Sequence, residues 1–193
     1  MMKSIKQKLD FEKSGYFFIG LLVLVVLGFW PSYFSKFFDG TADFNFYFHF
    51  HAVTATLWLI LLIMQPIFIR KKKLRLHRLF GKFSYVLVPL IFISVMLLAH
   101  NRITDNPEEL GINLWIPFKD LFILGVAYFI AIKYRHSVQI HARGMIAAGI
   151  VLIEPALVRF ILYIFFPDAG FAPEGYLVTL IIIYSLFISL ILI

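Results

Sequence analysis

Histidine is the residue type through which this chain could do chemistry: it has six, and five of them fall at or near predicted helix ends. Imidazoles that reach across a bundle from different helices are what a low-spin b-type heme takes as axial ligands. The same groups bind metal ions, but no HxxxH or HExxH pair occurs, and His136 and His141 miss the usual helical zinc spacings. Heme therefore ranks above a catalytic zinc or di-iron site. The chain has no cysteine, which excludes disulfides, cysteine-held iron–sulfur clusters, covalently attached c-type heme and a thiol nucleophile. Bis-histidine ligation suits such a chain.

The elements that must position these groups follow from composition. With 61% hydrophobic, 18% aromatic and 15% charged residues and a mean hydropathy of +0.88, the 193 residues are far more apolar than a soluble domain. Six apolar runs, near 16–30, 44–69, 81–99, 117–132, 145–166 and 176–193, predict an all-α membrane protein: a six-helix transmembrane bundle forming one domain over 1–193. No small-residue cleavage pattern follows the first run, which reads as a retained span. The second run reaches about 39 Å, more than the hydrocarbon core of about 30 Å. Pro117 is expected in the first turn of the fourth helix. Basic residues concentrate in the N-terminal tail (Lys3, Lys6, Lys8, Lys13), in 70–82 and in 133–143, whereas the other gaps hold only Lys36 and Arg102. The stretch 101–113 carries Asp105, Glu108 and Glu109. This alternation predicts that both termini are cytoplasmic, and it assigns the net charge of +7 to membrane orientation rather than to a nucleic-acid partner.

On that topology His77 and His141, with His136 as a substitute, share the basic side, while His49, His51 and His100 share the other. The expected ligand pairs are His77 with His141 and, on the outer side, His51 with His100. His77 and His100 lie about 34 Å apart on a continuous helix and cannot serve one site. His51, Trp58, Leu62 and Gln65 form a partly polar stripe predicted to face other helices. On the third span His77, Gly81, Ser84, Tyr85 and Val88 share a face whose small residues admit a flat ring or a close helix.

His141, Met145, Ala148, Leu152 and Arg159 line one face of the fifth span. Arg159 stands in an apolar run, where a charge costs about 2.5–3.5 kcal/mol on insertion and turns inward to a partner. Glu154 is its nearest acid in sequence, but about 140° away around a straight helix. The expected partners are Glu154 across a kink at Pro155, Asp120, or a heme propionate. Arg78 and Arg159 are both expected to pair with propionates or to tune the heme potential through their charge. A different class of function also fits: Glu154, Arg159, Asp120, Lys119 and Gln65 lining a polar path through a proton-coupled or small-solute transporter or channel. An accessory membrane subunit without catalysis is the third reading.

The stretches FHFHAVTATLWLILLIMQP ending at Pro66, LHRLFGK at 76–82 and HARGM at 141–145 resemble a bacterial family of uncharacterised multi-pass membrane proteins. The resemblance covers the second to fifth spans, and its matching positions are His51, Gln65, His77, Arg78, Gly81 and His141. It implies the bacterial cytoplasmic (inner) membrane. More distantly, six spans with histidines near both surfaces resemble the transmembrane diheme b-type cytochromes, which pass electrons across membranes, often from ascorbate. That likeness implies heme b and a redox partner or quinone. It also has a departure: those proteins place a ligand on each of four core helices, and the fourth span here has no histidine.

Overall fold

In hydrocarbon a backbone N–H or C=O has no water to bond, so a single segment crosses only as a helix that satisfies its own groups. The computed structural model describes residues 11–105, 110–167 and 173–192, and every regular element among them is helical. Lys3, Lys6, Lys8, Glu108, Glu109 and Asp168 lie outside the described residues.

After a 3-10 turn at Phe11–Lys13, α1 (Ser14–Phe29) continues through a π-helical turn, Trp30–Phe34, into α2 (Ser35–Phe38). Then follow α3 (Phe46–Arg70), α4 (Leu74–Asp105), α5 (Leu110–Lys133), α6 (Val138–Ile150), α7 (Ile153–Phe165) and α8 (Pro173–Leu192). They supply six segments long and apolar enough to cross a membrane, with α1–α2 and α6–α7 each acting as one. This is the expected all-α six-helix bundle of a multi-pass membrane protein. Large apolar side chains such as Phe122, Phe129 and Ile191 stand exposed, which is the surface that lipid requires.

Three boundaries differ from expectation. The third helix starts at Leu74 rather than 81, because α3 ends in a tight reversal that restarts the chain at once. Lys72 takes φ +55°, Lys73 N–H bonds the Phe68 carbonyl and Lys72 N–H the Ile69 carbonyl, the pairing of a Schellman cap. His77 is thereby a helical residue one turn into α4, and Gln65 faces it from the last turns of α3. The fourth helix begins at Leu110, so Pro117 lies inside it and not in its first turn. The fifth span is not continuous: it breaks at Val151–Leu152, between α6 and α7. Pro155 is the cause, since it offers no N–H to the Val151 carbonyl four residues earlier and its ring crowds that carbonyl. The face drawn from His141 to Arg159 therefore does not run unbroken.

Small residues set the packing. Gly144 lies against Ala131 and the Ala127 carbonyl, so α5 and α6 approach closely; Gly28 lies against the Ala156 backbone, joining α1 to α7; and Gly149 leaves room for the Phe18 ring. Trp58, Leu62 and Gln65 of the predicted stripe are buried, as expected of a bundle-facing surface. On α4, Ser84 and Val88 are buried, but Tyr85 is exposed.

Candidate functional site

At the end that carries the basic loops, α1, α3, α4 and α6 enclose a cavity of about 620 Å³, within the range of small-molecule and cofactor sites. His77 and His141 both line it, and their ring centroids are 6.4 Å apart with the planes at 88°. The expected inner pair is thus brought together, and His136 lines the same cavity.

Each imidazole is held by a second group. His141 Nδ1 lies 2.9 Å from the Ala131 carbonyl, which has only lone pairs to offer, so Nδ1 carries the hydrogen and Nε2 keeps its lone pair. His77 is held by Gln65. With the carboxamide turned so that its nitrogen faces α4, Nε2 of Gln65 donates to the His77 carbonyl at 3.1 Å and to His77 Nδ1 at 2.5 Å, while its oxygen accepts from Gly81 N–H at 3.2 Å. In that orientation the His77 ring proton sits on Nε2.

The rest of the lining is basic. Arg78, Lys82 and Arg135 contribute three cations, and no carboxylate lines the cavity among the described residues. A Cβ placed on Gly81 would meet only the end of the Gln65 carboxamide, at 3.9 Å, so the wall there is low. Ser84 is fixed by its bonds to the Gly81 carbonyl (2.6 Å) and the Tyr128 hydroxyl (2.8 Å). Tyr128 also packs edge-on against Trp58, with centroids 6.0 Å apart. Tyr128, Lys82 and Arg135 were not legible as site residues: the two cations read equally well as topology signals, and a tyrosine in an apolar run carries no spacing signature.

Of the three histidines expected on the outer side, only His51 lines one of the two cavities. His51 Nδ1 is 3.1 Å from Ser94 Oγ, and Thr54 Oγ1 bonds the same serine, so His51 ties α3 to α4. Ser94 is about 25 Å along α4 from His77. His51 lines a second cavity of about 210 Å³, below the range of most cofactor sites. His100 is exposed and lines neither cavity. His49 meets the Tyr33 hydroxyl at 2.9 Å and packs among Tyr33, Phe37 and Phe44, an interfacial aromatic cluster.

The expected partners of Arg159 take other roles. Glu154 accepts from Lys119 of α5 and, at 3.1 Å, from the Tyr176 hydroxyl, while Lys119 also bonds Asp120 at 2.9 Å. The acids are therefore committed to Lys119. Arg159 instead donates to the Pro155 carbonyl at 2.7 Å and stands 4.5 Å from the centre of the Phe29 ring. It lines the outer cavity, so of the two arginines expected at propionates only Arg78 belongs to the His77–His141 cavity.

The two cavities share no lining residue, and Lys119, Asp120 and Glu154 line neither. Among the described residues no three His, Cys, Asp or Glu gather as a metal site. No family model, curated protein or solved structure matches the chain.

Proposed function

We propose that the chain is an integral membrane b-type heme protein that transfers electrons, with one heme near its basic end held by His77 and His141. The carrying observation is the 6.4 Å separation of the two ring centroids on the wall of one cavity. An imidazole nitrogen lies about 2 Å from a bound metal and the ring centre about 1 Å further, so two rings on one iron hold their centres about 6 Å apart. That agreement supports a single group held between the two rings. When bound, heme supplies a one-electron iron couple.

The chain's own groups do the positioning. Ala131 leaves His141 Nε2 available, the low wall at Gly81 and Ser84 makes room for a flat ring, and Arg78, Lys82 and Arg135 supply the charge that carboxylate substituents need. With heme held by His77 Nε2, the ring proton would sit on Nδ1 and the Gln65 carboxamide would have to present its oxygen there. Cytoplasmic termini and a bacterial inner membrane, with a quinone or other redox partner, belong to the same proposal, supported by the basic loops and by the resemblance of the HRxxG stretch. A transport path through Glu154 and Arg159 has less support, because the charged cluster packs against itself and lines neither cavity.

The test is the visible spectrum of the purified protein before and after dithionite, with a pyridine hemochrome assay for stoichiometry. One b heme per chain is expected, with sharp reduced α and β bands that disappear in His141→Ala. A colourless protein from heme-replete cells, or unchanged heme content in His141→Ala, overturns the assignment.

A further inference from the structure

The outer cavity, between α1, α3, α4 and α7, is walled mainly by apolar and aromatic side chains, Phe29, Phe48 and Leu59 among them. Against these stand three basic groups on three helices: His51 of α3, Arg102 of α4 and Arg159 of α7. No carboxylate lines the cavity among the described residues. Glu154, on the same helix as Arg159, is bonded by Lys119 and Tyr176. The contacts of Arg159, a carbonyl oxygen and a phenyl face, are dipolar and quadrupolar and neutralise no charge. Two guanidiniums lining one small, mainly apolar space repel each other more strongly than they would in bulk water. Both also remain charged, because arginine does not give up its proton. An anion between them turns that repulsion into two attractive, hydrogen-bonded contacts.

We propose that this cavity binds the anionic head, a carboxylate or phosphate, of an amphiphile whose tail leaves between the aromatic walls toward the bilayer. Phenyl and aliphatic walls favour an alkyl chain over a hydrated inorganic ion. The site is separate from the histidine cavity, shares no lining residue with it and does not depend on heme.

The test is equilibrium binding of radiolabelled dodecanoate to the full chain in phosphatidylcholine nanodiscs, with empty discs subtracted. Saturable binding is expected, displaced by dodecyl phosphate but not by dodecanol or inorganic phosphate. Arg159→Gln and Arg102→Gln should each weaken it about tenfold, the loss of one charged hydrogen-bonded contact, and Arg159→Lys should weaken it less. His141→Ala should leave it unchanged, so this proposal and the heme reading fail separately. Displacement by dodecanol would reduce the site to an apolar slot, and equal displacement by inorganic phosphate to a free-anion site; either overturns the proposal. So does unaltered binding in both glutamine variants. The competition series uses the unaltered chain and decides the matter even if a variant does not assemble.

Discussion

The Gln65 carboxamide lies between His77 Nδ1 and Gly81 N–H, so which of its two ends faces His77 is coupled to which ring nitrogen carries the proton. Hydrogen bonds to a ligating imidazole typically change affinity for the bound metal by about 10- to 100-fold. If the proposed heme is bound, Gln65→Ala is expected to retain it but release it about 10- to 100-fold more readily, measured by heme transfer to an excess of apo-globin. Equal release rates would mean that Gln65 serves packing alone. His141 differs in that its holder is a backbone carbonyl, Ala131, which no side-chain substitution removes. At this scale the sequence identified the imidazoles but not their holders: Gln65 could be put on an inward stripe, while its partner depends on how α3 and α4 are staggered.

Helix breaks and contacts between helices decide where the charged residues go. Pro155 severs α6 from α7, and the Gly28–Ala156 contact seats α7 against α1. Glu154 then faces Lys119 of α5, with side-chain exposures of 4% and 12%, so this is a buried ion pair and not a screened surface one. Removing one member of such a pair strands the other. Lys119→Met should lower the unfolding free energy by about 3–5 kcal/mol, read from denaturant unfolding in detergent. The double variant Lys119→Met with Glu154→Leu should recover part of the loss, because the pair's desolvation cost disappears with it. Additive losses would show that the two residues are not coupled. Sequence spacing supplied the 140° argument against a Glu154–Arg159 pair, and Lys119 could not have been chosen from it, since the pairing arises only when two distant helices pack.

For the whole molecule, the proposed orientation makes a prediction that the absence of cysteine makes simple to check. In intact cells a membrane-impermeant maleimide should label Lys36→Cys and leave Arg135→Cys unlabelled until the membrane is permeabilised. The reverse pattern would invert the orientation and put the histidine cavity on the other face. Along α4 the two cavities are lined by His77 to Tyr85 and by Leu98 to Arg102, about 20 Å apart at their nearest, whereas on α3 Leu61 lines one and Leu59 the other. Arg159 and Arg78 therefore serve different ends of the protein.

Six membrane crossings, the segregation of basic loops and the assignment of His77 and His141 to one end could be read from composition and order alone. Apolar run length and charge placement are one-dimensional quantities, matched to a bilayer of fixed thickness. What only the tertiary structure decided is which groups touch. The His77–His141 approach, the Gln65 latch, the committal of Glu154 to Lys119 and the gathering of Arg102 with Arg159 all depend on helix stagger and rotation. Those are set by close packing at Gly28, Gly144 and Gly149 and by the break before Pro155, three-dimensional constraints that hydropathy and spacing do not encode.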